Sequence, residues 1–157
     1  MLKFLKKENK VVAVATGKMV PLESVNDDVF SKKVMGDGVA FVLEDGEIVS
    51  PCDGVISMLF STGHAFGVTR NDGVEFLIHI GIDTVNLNGE GFTILKKEGS
   101  RVKAGEPVVR VNYASLEKKG YSTTTMLIVT DPKNKNISFV DCQHVKAGQS
   151  IQREPEG

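Results

Sequence analysis

Tryptophan is absent from the 157 residues, tyrosine occurs twice, and the only cysteines are Cys52 and Cys142. Two cysteines are too few for the disulfide framework of a small secreted domain, and each reads as a small buried or turn-flanking thiol. Basic residues are not in excess: 19 Lys and Arg stand against 20 Asp and Glu, a formal net charge of −1. That balance argues against a nucleic-acid binder, which usually carries a basic excess on one face, so no nucleic acid is expected as a partner. Long apolar runs are missing too. Residues 11–15 are the first such run, far short of the roughly 18 residues needed to span a bilayer. The opening MLKFLKKENK has the charge of a signal peptide without its apolar stretch. Residues 1–10 are therefore expected to be a flexible basic tail, 11–151 a single domain and 152–157 a polar tail, with the chain in the cytoplasm.

Glycine is what the sequence has in surplus, at 16 residues against roughly 11 at ordinary usage. Short runs rich in Val, Ile, Phe and Thr alternate with Gly, Asp, Asn and Pro. They predict strands at 11–15, 39–43, 47–50, 54–60, 65–70, 74–80, 92–95, 108–111, 126–129 and 137–140. Asp45-Gly46, Asp53-Gly54, Asn71-Asp72-Gly73 and Asn88-Gly89 supply turns, because these residue types tolerate positive φ. Helical pattern is weak, with short turns at 25–33 and 113–119 and Ser115 as the cap of the second. The fold class is all-β, an antiparallel sandwich or barrel. Val102-Lys103-Ala104-Gly105 recurs as Val145-Lys146-Ala147-Gly148, and Thr16-Gly17-Lys18-Met19-Val20 more faintly resembles Cys52-Asp53-Gly54-Val55-Ile56. Two repeated turn-and-strand units indicate a β fold built by duplication.

Of the three histidines, His64 and His79 flank a hairpin turning near Asn71-Asp72-Gly73, while His144 reads as a surface or structural residue. A two- or four-residue loop places both imidazoles on one face, with Cβ atoms about 5–8 Å apart. A three-residue loop separates them unless a bulge intervenes. In the first case Val74, Phe76, Ile78 and Ile80 line the core, over Ala65 and Gly67. Thr62, His64, Phe66, Leu77 and His79 then share the other face, a docking surface with chemistry at its centre. Paired imidazoles could hold zinc, but no third ligand stands at suitable spacing. They could instead serve phosphoryl transfer, one nitrogen attacking phosphorus while the second ring binds the phosphoryl oxygens. Thr62 would then orient His64 or touch the phosphoryl group. No Gly-x-x-x-x-Gly-Lys-Ser/Thr loop is present, so the phosphate would have to come from another protein.

Leu77-Ile78-His79-Ile80-Gly81-Ile82-Asp83-Thr84-Val85, followed by Gly89-Glu90-Gly91-Phe92, resembles the signature of the glucose-class enzyme IIA of the bacterial phosphoenolpyruvate-dependent sugar phosphotransferase system. Thr62-Gly63-His64-Ala65-Phe66 is similar to that family's second histidine segment, and the likeness runs from about Val20 to Gly148. The resemblance implies an antiparallel β-sandwich with a duplicated hybrid motif. It also implies a phosphotransferase acting through a phosphohistidine intermediate in sugar uptake. His79 would take phosphate from the histidine-containing phosphocarrier protein and pass it to the enzyme IIB domain of a membrane sugar permease. His64 would stabilise the moving group, Thr62 would support His64, and Gly81 would offer its carbonyl to the other nitrogen of His79. Asp27 and Asp83 would face basic residues of the phosphocarrier. Val29, Phe30, Val34, Met35, Phe60, Phe66, Leu77, Ile80 and Val85 map onto an apolar docking ring. No cofactor is implied, though zinc at a partner interface could join His64 and His79 to a partner's acid, and the chain is expected to be a monomer.

Two other classes compete. A biotinyl or lipoyl carrier also uses a duplicated β fold, but needs a lysine at an exposed hairpin tip, for which Gly17-Lys18-Met19 lacks the flanking methionine. A zinc peptidase of related architecture needs a His-x-His pair that is missing.

Overall fold

The computed structural model describes residues 10–153. The basic segment before Lys10 and the last four residues lie outside them. The chain folds into two antiparallel sheets. The strands are β1 (Gly17–Pro21), β2 (Asp37–Leu43), β3 (Glu47–Val49), β4 (Gly54–Leu59), β5 (Ala65–Arg70), β6 (Glu75–Ile80), β7 (Phe92–Ile94), β8 (Arg101–Val102), β9 (Pro107–Val111), β10 (Thr125–Asp131) and β11 (His144–Val145). The larger sheet runs β11-β1-β2-β10-β6-β5-β4-β8 and the smaller β3-β9-β7. Among the described residues helix is confined to α1 (Asp28–Ser31), α2 (Tyr113–Lys118) and the 3₁₀ turns Leu22–Ser24 and Thr84–Leu87. Asn112 caps α2, its Oδ1 accepting from the Ser115 amide at 3.2 Å, so Ser115 receives the cap rather than supplying it.

Alternation along the strands sorts side chains into two apolar clusters. Phe41, Phe66, Val68, Phe76, Ile78 and Ile80 from the larger sheet meet Ile48, Val108, Val109 and Val111 from the smaller one. The opposite face of the larger sheet presents Ala40, Ala65, Leu77, Met126 and Ile128, and the segment carrying Leu22, Val25 and Phe30 covers it. That cover brings α1 to the histidines.

The duplication is visible in hydrogen bonds. Thr16 Oγ1 accepts from the Ala147 amide at 3.0 Å, and Asp53 Oδ1 accepts from the Ala104 amide at 2.8 Å. Gly17 pairs with Val145 as Gly54 pairs with Val102. Gly105 and Gly148 both turn at positive φ, +84° and +91°, and lie against each other where the units meet. The structure therefore aligns Thr16 with Asp53, one residue away from the faint sequence match. In that alignment the two units share a polar side chain at the turn, Thr16 or Asp53, followed by a glycine, Gly17 or Gly54.

Expected strands at 11–15 and 137–140 are isolated bridges, Val12 with Ser150 and Phe139 with Gln152. Residues 11–15 are buried, and their backbone bonds go to several segments: Val12 to Pro51, Ala13 to Gln149, and Val49 to Val14. No single ladder forms. Gln152 and Arg153, expected in the polar tail, are held by backbone: the Arg153 amide donates to Ser138 O at 2.8 Å. β1, β8 and β11 are strands that the apolar pattern did not mark, since tertiary pairing rather than composition defines such short pieces. Lys18, the alternative carrier lysine, is mid-strand in β1 between Val42 and His144, not at a hairpin tip.

Candidate active site

The hairpin that carries the histidines has a three-residue loop: the Arg70 amide donates to Val74 O at 2.8 Å, and Ala65 pairs with His79. An odd loop shifts every pairing by one residue and so exchanges the faces of β5. Ala65 and Gly67 lie opposite His79 and Leu77, on the outer face, while Phe66 and Val68 point into the core with Ile78 and Phe76. The expectation that Phe66 shares the histidine face is thereby corrected. So is its place in the docking ring, because it is 0% exposed.

His64 nevertheless reaches His79. It stands one residue before β5, where its carbonyl accepts from the Ile80 amide at 2.7 Å but its backbone is no longer that of a strand. Gly63 precedes it at φ +76°, packed under Phe92 and Ile94 of β7. A side chain at Gly63 would meet the Phe92 Cβ at 3.1 Å and would have to hold a left-handed backbone. The turn at Gly63, not strand alternation, swings the His64 ring over. The two imidazoles stand edge-to-face with centroids 5.2 Å apart and planes at 81°.

Both rings are committed at one nitrogen. His79 Nδ1 lies 2.8 Å from Gly81 O. A carbonyl only accepts, so Nδ1 bears the hydrogen and Nε2 keeps its lone pair. His64 Nδ1 lies 2.5 Å from Thr62 Oγ1, a hydroxyl able to donate or accept. Either way, Nε2 is the atom left to meet a ligand. Phe30 packs on the His79 ring at 4.9 Å, and Phe60 meets the His64 ring edge-on at 4.9 Å. Burial holds the His79 pKa below the usual imidazole value, against the Gly81 bond and the carboxylates of Asp27 and Asp83, which pull it upward. Burial, then the neighbouring His79, likewise depresses His64. Both rings therefore favour the neutral form, which for His79 is a nucleophile.

The two acids come from structured turns. Asp27 is the N-cap of α1, its Oδ1 accepting from the Val29 amide at 2.9 Å. Asp83 sits left-handed at φ +59° just before the Thr84–Leu87 turn. Of the expected docking residues, Val29, Val34, Met35, Phe60 and Val85 are exposed by 40% or more. Phe30 is 6% exposed and walls His79 instead, and Leu77 at 8% belongs to the outer cluster. Ile80 is wholly buried in the core, as strand parity requires. One residue that sequence reasoning passed over is Thr84, fully buried, whose hydroxyl donates to Ile80 O at 2.5 Å. A hydroxyl five residues after His79, within the His-Ile-Gly-Ile-Asp-Thr run, was its only signal.

The sequence matches, over residues 9–135, the family described as phosphoenolpyruvate-dependent sugar phosphotransferase system, EIIA 1. The chain belongs to that family. The fold is similar to the solved structure of the glucose permease IIA from Mycoplasma capricolum, with a TM-score of 0.87 and 36% identity. The likeness covers 91% of this chain and 93% of the other. Enzyme IIA membership gives the chain a phosphotransfer role in sugar transport. Among the described residues no helix is long and apolar enough to cross a membrane. No group of three or more His, Cys, Asp or Glu side chains able to hold a metal ion occurs among them either.

Proposed function

We propose that His79 is the residue that carries the phosphate, through its Nε2. It takes the group from the phosphohistidine of the histidine-containing phosphocarrier protein and gives it to the enzyme IIB domain of a glucose-type permease. The observation that carries this reading is the bond between His79 Nδ1 and Gly81 O. It fixes the proton on one nitrogen and leaves the other as the nucleophile. In the forward step the Nε2 lone pair forms the new N–P bond as the donor's N–P bond breaks. The Nδ1 proton stays where it is, and its carbonyl acceptor stabilises the cationic character that the ring acquires.

His64 stands beside the reacting nitrogen rather than competing with it. With the Thr62 hydroxyl donating to its Nδ1, its Nε2 bears hydrogen and donates to a phosphoryl oxygen. The exposed Val29, Val34, Met35, Phe60 and Val85 offer the partner an apolar surface that excludes water from the transfer. Asp27 and Asp83 at its edge suit a basic partner. The same two imidazoles would bind zinc only with an acid supplied by that partner, and the transfer itself needs no cofactor. The chain acts as a monomer, in the cytoplasm, where its protein donor works.

Incubation with enzyme I, the phosphocarrier and phosphoenolpyruvate should add one acid-labile phosphate per chain, and His79→Gln should take none. Labelling of His79→Gln at the wild-type level would refute the assignment.

A further inference from the structure

Gly81 lies between two peptide planes, and each plane is held at both ends. In the first, Ile80 O accepts from Thr84 Oγ1 at 2.5 Å and the Gly81 amide donates to Thr124 O at 3.0 Å. In the second, Gly81 O accepts from His79 Nδ1 and the Ile82 amide donates to Ser122 O at 3.0 Å. Three of the four anchors therefore set where the fourth, the His79 acceptor, points. Thr84 supplies the only side-chain hydroxyl among them. Its methyl occupies the space a side chain there would need: a Cβ at Gly81 would come 2.5 Å from Thr84 Cγ2 and 2.7 Å from Ser122 O. Gly81 turns at φ +78° and Asp83 at +59°, so the loop departs from strand geometry twice within three residues. For a residue other than glycine, as at Asp83, a left-handed conformation persists where the surroundings over-determine it. The hydroxyl of Thr84 does this from inside, at 0% exposure.

We propose that Thr84 is a positioning residue: by tying Ile80 O it aims the Gly81 carbonyl at His79 Nδ1, and so decides which imidazole nitrogen is left bare. The consequence for phosphoryl transfer rests on the role of His79 proposed above. The effect on the tautomer does not.

The test compares Thr84→Val, which removes the hydroxyl and keeps the shape, with Thr84→Ser, which keeps the hydroxyl. Imidazole ¹⁵N spectra of the full chain, above the His79 titration, report the tautomer. Wild type and Thr84→Ser should show Nδ1–H. Thr84→Val should show a mixture, a His79 midpoint moved lower because the Gly81 bond favours the charged ring, and phosphate acceptance slowed roughly three- to tenfold, the weight of one hydrogen bond. A Thr84→Val protein with wild-type tautomer and midpoint would overturn the proposal. If that variant does not fold, the wild-type Thr84 hydroxyl proton decides: slow exchange and a coupling to the Ile80 carbonyl support the tie, and fast exchange refutes it. Should wild-type protein accept no phosphate at all, the functional reading fails while the tautomer comparison still judges Thr84.

Discussion

Two phenylalanines near the histidines should respond to truncation in opposite ways. Phe66 is fully enclosed in the core cluster, paired across the ladder with Ile78. Phe60 is 43% exposed and touches the His64 ring at 4.9 Å. Removing a buried phenylalanine side chain costs about 3–5 kcal/mol in lost burial and cavity formation. At roughly 2–4 °C per kcal/mol for a domain of this size, Phe66→Ala should melt about 6–20 °C lower. Phe60→Ala loses an aromatic contact of about 0.5–1.5 kcal/mol, a shift of a few degrees. Function should divide the other way. Measured at a temperature where both variants are folded, Phe60→Ala should raise the KM for the phosphocarrier, and Phe66→Ala should leave it near wild type. Thermal unfolding followed by steady-state transfer assays decides. A Phe66→Ala protein with unchanged Tm and weakened partner binding would refute the three-residue register and return Phe66 to the surface.

His64→Gln should still accept phosphate on His79 but pass it to enzyme IIB at least tenfold more slowly, since one hydrogen bond to a charged group is lost; unimpaired transfer in a coupled assay would remove His64 from the site. Proton NMR titration should place both midpoints below the ordinary 6.5 of a free imidazole, because burial depresses both rings. The unfolded chain then binds more protons between the folded and unfolded pKa values, so the histidine contribution to stability is full above about pH 6.5. It is lost as pH falls through the lower, folded values. Denaturation midpoints measured from pH 7.5 to 5 should therefore fall less in His79→Gln than in wild type, and an equal fall would contradict the burial argument.

The sheet class and the turn positions were legible because glycine, aspartate and β-branched residues mark local geometry. Strand β5 begins and ends where the apolar run does, Ala65–Arg70. What could not be read was parity. Asn71-Asp72-Gly73 fits a loop of two, three or four residues equally well, yet one residue decides whether Phe66 or Ala65 faces the histidines. The same local ambiguity hid the bulge between Ile56 and Met58, which puts Met58 beside Gly67 on the outer face. Nor could sequence show that residues 11–15 hydrogen-bond to several segments, because those partners are distant in the chain. The histidine pair was predicted on one face by an alternation that does not hold. Gly63 restores the meeting by a backbone turn that no apolar pattern encodes.

The duplicated units and the site also divide the work of the glycines. The repeats meet at Gly105 and Gly148, and neither turn carries a histidine of the pair. His64 stands just before β5 and His79 on β6, with Gly63 and Gly81 beside them at φ +76° and +78°. A glycine at a repeat turn sets where two backbones may approach. Each glycine at the site instead sets where an imidazole sits, Gly63 by swinging the His64 ring and Gly81 by presenting a carbonyl. The two rings are thus held by different parts of the fold: His64 through a turn packed on β7 of the smaller sheet, His79 through a loop bonded beside β10 of the larger. The 5.2 Å between their centroids therefore has two supports: the Ile80 amide ties the His64 carbonyl to β6 within the larger sheet, and the packing of Gly63 against β7 turns the His64 ring toward His79.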